Sequence, residues 1–235
     1  MDDLVTRQAG VEFDHFVLGT SDTRAGAAWL EALTGAPVTV TEPEPGQWYW
    51  SGAMPLPGGA LVEMLGPNPA HRGFQPMKAL LADYTTPSPL FWHIGTRDFD
   101  ALSRRVAELG APMERVERID APGKDGPRAH VRGILGPGFR SARPCAIQWI
   151  DRIDRGEAVC SVKGFALRTP RPGPLNAVFE GLGLTLRAEE GPERLTLELE
   201  TPKGEVVLSG PGVAFEGLGA LAMIARLRLR SLFGG

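Results

Sequence analysis

FDHFVLGTSD, residues 13–22, and LFWHIGTRDFD, residues 90–100, decide how this chain folds. Each sets a histidine in an apolar run, then Gly-Thr, then an aspartate. A third stretch, VKGFALRT at 162–169, keeps the apolar run and the threonine but has no histidine. Each is followed by a helical pattern closed by a glycine, at Gly35, Gly110 and Gly183. Thr20, Thr96 and Thr169 are almost evenly spaced, and each closing glycine follows its threonine at nearly the same distance. Recurrence at a fixed period marks one structural unit used several times.

The unit reads as strand, helix, strand, strand, strand. The histidine-bearing runs are apolar and β-branched, as buried strands are. Asp22 and Asp98 stand where a helix N-cap is needed. In the second helix Leu102, Val106 and Leu109 fall on one face, with Arg104, Arg105 and Glu108 on the other. Later runs supply the remaining strands: PVTVTE, WYWSGAM and ALVEML in the first unit, then MERVERI, RAHVRGIL and CAIQWID in the second. The third offers LTLRAE, RLTLELET and EVVLSG, where Leu195, Leu197 and Leu199 alternate with Thr196, Glu198 and Glu200. One such unit cannot bury its own sheet face, so the first two are expected to pair. The expected class is α+β: two βαβββ modules forming a curved mixed sheet and cleft over residues 1–155, and a third, degenerate module with a C-terminal helix over 156–235. Residues near 13–66 and 90–151 should superpose.

Composition narrows the functional classes. The 235 residues are 43% hydrophobic and 23% charged, with a net charge of -3, so nothing draws the chain toward nucleic acid or anionic surfaces. No apolar run reaches the length of a membrane span. The acidic start MDDLVTRQAG lacks the apolar stretch of a signal peptide. Two cysteines without a CxxC pair argue against a disulfide framework and fit a cytoplasmic location. No phosphate loop, dinucleotide fingerprint or hydrolase elbow is present.

The duplicated motifs, with GGALVEMLGPNP and PCAIQWID, resemble the glyoxalase-like proteins of the vicinal oxygen chelate superfamily, which include bleomycin-resistance and extradiol dioxygenase relatives. The resemblance covers nearly the whole chain. It implies a metal site built from the first and last strands of each paired unit. On this chain those positions are His15 and Glu63 in the first unit, with His93 and Gln148 offered by the second. Glu63 would also be the catalytic group. Iron, manganese, zinc or nickel suits imidazole and carboxylate ligands with open positions for substrate oxygens. The second unit departs from the pattern: the threonine spacing sets Phe91 against His15, and His93 is displaced by two. The third unit has Gly164 and Val207 at the matching positions and is expected to contribute no ligand.

The resemblance implies an enzyme acting on a small oxygen-bearing organic molecule: a lyase, an isomerase or a dioxygenase. The other reading is a metal-free protein that sequesters a small molecule in the same cleft. Trp48, Trp50 and Arg140 are the candidate substrate contacts, the arginine because its planar fork matches carboxylate or phosphate. Plainer roles compete throughout: a histidine on an apolar strand often serves a backbone carbonyl, and loop tryptophans often only cover a core. Trp92 and Trp149 neighbour candidate residues and so should face the opposite side, beneath the helices. The tail GLGALAMIARLRLRSLFGG reads as a basic amphipathic helix, and the composition leaves a homodimer open.

Overall fold

The computed structural model describes residues 10–43, 47–72, 76–82, 84–111, 113–123, 126–135, 139–149 and 156–215. The amphipathic tail lies outside them.

The first unit runs β1 (Val11–Gly19), α1 (Thr23–Thr34), β2 (Thr39–Thr41), β3 (Tyr49–Pro55) and β4 (Leu61–Pro67). A short helix, α2 (Pro76–Leu81), leads to the second unit: β5 (Ser88–Thr96), α3 (Phe99–Glu108), β6 (Met113–Gly123), β7 (Gly126–Leu135), the short β8 (Phe139–Arg140) and β9 (Cys145–Trp149). The third unit is β10 (Ser161–Thr169), α4 (Pro172–Gly181), β11 (Ala188–Glu190), β12 (Arg194–Thr201) and β13 (Gly204–Pro211), followed by β14 (Ala214–Phe215).

The helix boundaries follow from side-chain chemistry. The Ala25 amide donates to Asp22 Oδ1 at 3.0 Å, and the Ala101 amide donates to Asp98 Oδ1 at 2.9 Å. Each bond satisfies one orphan donor of a first turn. Gly35 ends α1 with φ of 74°, a left-handed turn that glycine adopts without strain.

The first two units form one eight-stranded sheet, ordered β2-β3-β4-β1-β5-β9-β7-β6. The order is palindromic when each strand is matched to its counterpart. β1 runs parallel to β4, β5 runs parallel to β9, and β1 and β5 meet antiparallel at the centre. One face of this sheet packs on α1, α3 and the third unit through Phe16, Leu18, Met54, Met64, Trp92 and Ile94. At one end of the other face a smaller cluster forms from Val17, Leu65, Leu90 and Leu81 of α2.

The third unit keeps the expected element order but not the strand pairing. Its sheet runs β11-β10-β12-β13, so its first strand lies between the second and third. In the paired units the first strand instead neighbours the fourth. The edge that β1 gives to β5 is taken in β10 by β12. Val207 therefore is not the spatial counterpart of Glu63. It sits on the sheet's edge strand and is 61% exposed.

The third unit is fastened to the central sheet. The Phe165 ring lies 5.0 Å from Trp92 and 5.5 Å from Phe13, and Phe179 lies 6.0 Å from Trp92. Glu193 accepts the Ala142 amide at 2.8 Å. Ser141 Oγ donates to the Leu90 carbonyl and accepts from the Val213 amide. Among the described residues, no helix is long and apolar enough to cross a membrane.

Candidate functional site

The two histidines of the repeated motif meet. His15 and His93 are direct cross-strand partners in the β1–β5 ladder. Their rings stack with centroids 3.8 Å apart and planes 24° apart. Both are almost wholly buried. The displacement of His93 is what makes this possible. Phe91, the sequence counterpart of His15, pairs with Val17, further along the ladder. In an antiparallel pair the counterpart positions lie diagonal to each other, and the displaced position lies directly opposite.

Two irregularities shape the ladder. The register shifts between Phe13 and His15, leaving Asp14 extra on β1. It shifts again between Val17 and Leu18, leaving Leu90 extra on β5. Leu90 follows Asp14 at the same spacing at which Thr96 follows Thr20. The bulge is part of the duplicated unit. A bulge re-aims a side chain that strict alternation would send to the other face. Here it brings a carboxylate beside His15: His15 Nδ1 lies 2.6 Å from Asp14 Oδ1. Trp149 reaches the same carboxylate from β9, its indole N–H donating to Oδ1 at 3.2 Å and Oδ2 at 3.1 Å. Gly95 leaves the space above it open, since a Cβ there would stand 3.1 Å from Asp14 Oδ2.

Glu63 completes the group from β4. Its Oε2 lies 3.5 Å from His15 Nε2, and that buried nitrogen has no hydrogen bond among the described residues. The indole N–H is donor only. The Asp14 carboxyl accepts from Trp149, and the roles in its 2.6 Å contact with His15 Nδ1 follow the tautomer of the ring. Nε2 is the open nitrogen on the Glu63 side.

Several expected site residues lie elsewhere. Gln148 does not face Glu63: its Oε1 accepts the Phe99 amide at 2.8 Å, at the start of α3. Strand pairing shows why. Val17 pairs with Glu63 and its counterpart His93 pairs with Cys145, so the spatial match of Glu63 is Cys145. Motif likeness alone slips β9 by an odd number of positions, which exchanges its faces. The same slip misplaces Trp149, which faces Asp14 and not the helices. Trp92 does pack beneath them, its indole donating to the Ala142 carbonyl at 3.2 Å.

Trp50 is buried on the helix side, donating to the Thr41 carbonyl at 2.7 Å, with the Arg24 guanidinium 4.8 Å over its ring. In β3 it is Tyr49, not Trp50, that packs with the cluster on the opposite face. Trp48 is 37% exposed and touches Tyr49 edge-on. The Arg140 guanidinium lies 3.4 Å from Glu193 and ties β8 to the third unit rather than opening onto the site. Two groups away from the site are shifted by burial, which raises the Tyr84 phenol and the Cys160 thiol.

The described arrangement does not fit the expected metal set. A single ion needs lone pairs that converge. Two imidazoles stacked nearly face to face send their in-plane lone pairs out side by side. Gln148 is on the other face. Among the described residues no group of three His, Cys, Asp or Glu side chains is placed to hold an ion.

Asp14 and Trp149 are site residues that the sequence-derived set lacks. The signal for Asp14 was present: a carboxylate inside an apolar strand is costly without a partner. Nothing in the sequence marks the bulge that aims it.

Comparison with known proteins agrees with the fold. The profile of the glyoxalase-like domain matches residues 13–183. A search of curated proteins finds no match. Among solved structures, a hypothetical protein from Staphylococcus aureus aligns over 87% of this chain and 88% of its own, with a TM-score of 0.56 at 10% identity. Methylmalonyl-CoA epimerase from Mycobacterium tuberculosis aligns over 63% of this chain and 90% of its own, with a TM-score of 0.41 at 17% identity. The Streptomyces coelicolor epimerase, in complex with 2-nitronate-propionyl-CoA, covers 59% of this chain and 97% of its own, at 0.43 and 18%.

Proposed function

The chain belongs to the glyoxalase-like domain family of the vicinal oxygen chelate superfamily, and from that premise we propose that it is an enzyme moving a proton on a small oxygen-bearing organic molecule. His15 and Glu63 are the acid–base pair. The observation that carries this is the open, buried Nε2 of His15 standing 3.5 Å from the Glu63 carboxylate. The two atoms sit on paired neighbouring strands, at a spacing where one proton can pass between them.

In such a step one group takes a proton from the carbon beside a carbonyl. The C–H electron pair moves onto the carbonyl oxygen as an enolate. The other group, which enters the step protonated, returns its proton to carbon, so that one proton is taken and one given and the sum is isomerisation. Iron, manganese, zinc or nickel at this site would require the His15–His93 stack to open, and the proton transfer uses only protein groups.

The test is solvent deuterium exchange, followed by proton NMR, on a panel of 2-oxo acids, hydroxyketones and acyl thioesters. Exchange by the wild type should fall about 100-fold or more in His15→Ala and in Glu63→Gln, the range for loss of a general acid–base group. Binding of a panel member without exchange would replace the enzyme with a sequestering protein. Exchange that needs added metal would overturn the metal-free step.

A further inference from the structure

We propose that Asp14 is a positioning residue that fixes His15 in the Nδ1–H tautomer, so that the proton-accepting lone pair is held on Nε2 beside Glu63. The importance of this for chemistry rests on the acid–base reading above. The geometry stands by itself.

Four observations converge on it. The bulge displaces β1 by one residue at Asp14 and brings its carboxylate beside the next side chain, which strict alternation would forbid. The carboxylate then meets His15 Nδ1 at 2.6 Å, slightly shorter than the usual range of N–H···O bonds. Trp149 donates to both carboxylate oxygens, which orients the group. Finally, Gly95 on the facing strand has no side chain where the carboxylate lies; its nearest side-chain neighbours there are Asp14 and Glu12. Asp14 itself is 7% exposed. Such a carboxylate is costly to bury unless its hydrogen bonds are made.

Free imidazole in water favours the proton on Nε2, so the fold must impose the other form. A histidine with its proton on Nε2 would point a donor at Glu63 and have no lone pair there. With the proton on Nδ1, the free lone pair faces the same space as Glu63 Oε2. The identity of the ring nitrogen that carries the proton therefore decides whether His15 is able to act as a base at all.

The experiment uses the full chain labelled with nitrogen-15 at histidine, and reads ring nitrogens by two-dimensional NMR at a pH where the ring is neutral. The chain has four histidines, and the His15 signals are assigned by their loss in His15→Gln. The wild type should show a pyrrole-type Nδ1 and a pyridine-type Nε2. In Asp14→Asn, Trp149 still donates to the amide oxygen, so the amide NH2 faces His15 and the two signals should exchange character. Asp14→Ala removes the acceptor and should shift the tautomer toward Nε2–H. Trp149→Phe leaves the carboxylate in place and should keep the wild-type tautomer.

A wild-type His15 with its proton on Nε2 overturns the proposal without any variant. Retention of Nδ1–H in folded Asp14→Asn and Asp14→Ala overturns it as well. The acid–base reading fails separately: a normal tautomer pattern with no proton exchange on any substrate sinks the enzyme and leaves the Asp14 clamp standing.

Discussion

The two faces of β1 and β5 are built from alternate residues of the same strands, yet they differ in kind. On the helix side Phe13, Phe16, Trp92 and Ile94 meet Phe165 and Phe179 in an aromatic core. On the other side Asp14, His15 and His93 are nearly as buried but polar, joined by Glu63 and Trp149 from the flanking strands. The first face is non-directional, held by area removed from water. The second is directional: its bonds and its ring stack depend on placement to within a fraction of an ångström. An apolar core and a polar cluster are thus set on opposite faces of one sheet.

Replacing a residue of the first face should therefore unfold the protein, while the second should lose order with less stability. The largest effect is expected at Trp92, fully buried between the central sheet and the third unit. Trp92→Ala should cost about 3–5 kcal/mol, the range for large aromatics in cores. Urea denaturation followed by circular dichroism measures it. A loss under about 1 kcal/mol, far below the range for such a cavity, would mean that the third unit is not held through this contact.

The aromatic face was largely legible in the sequence, because period-two alternation and helical spacing report which residues are apolar together. Strand existence, both aspartate caps and the duplicated halves follow from such local signals. What failed was register. Gln148 and Glu63 look equivalent because the motifs around them look alike, but Cys145 is the residue that the β5–β9 pairing sets against His93. Trp50, expected as a substrate contact, lies on the helix face of β3 instead. A strand's two faces differ by one residue, and no local preference of Gln or Trp decides which face it takes. The third unit failed at longer range. Its element order is that of the others, while its pairing depends on which strand claims the edge of β10, a contest between non-local partners. The bulge at Asp14 is invisible locally, although its recurrence at Leu90, the matching position of the second unit, ties it to the duplication.

An intermediate effect is expected at Gly95, on the polar face. Its backbone is extended like the rest of β5, so alanine is compatible with the chain path. The added Cβ would stand 3.1 Å from Asp14 Oδ2 and 3.4 Å from Asp14 Cβ. Asp14 must then move by a few tenths of an ångström, straining its bonds to His15 and Trp149. Gly95→Ala should destabilise by about 1–2 kcal/mol, as modest overpacking does. The shift should also appear in the indole N–H signal of Trp149. An unchanged indole signal would mean that Asp14 is not seated over Gly95.

The smallest effect is expected at Gln148, and its smallness is the point. As a metal ligand, Gln148 would belong to the polar face, and its loss would disturb the His15 and His93 rings. As the acceptor of the Phe99 amide, it belongs to the helix face and satisfies one of the orphan donors at the start of α3. Asp98 already caps that turn through the Ala101 amide, so the helix survives its removal. Gln148→Ala should therefore cost about 1 kcal/mol, the typical value for a lost capping bond. The ring-nitrogen signals of His15 and His93 should stay where they are. A shift in either ring with stability unchanged would move Gln148 to the polar face and restore it to the site.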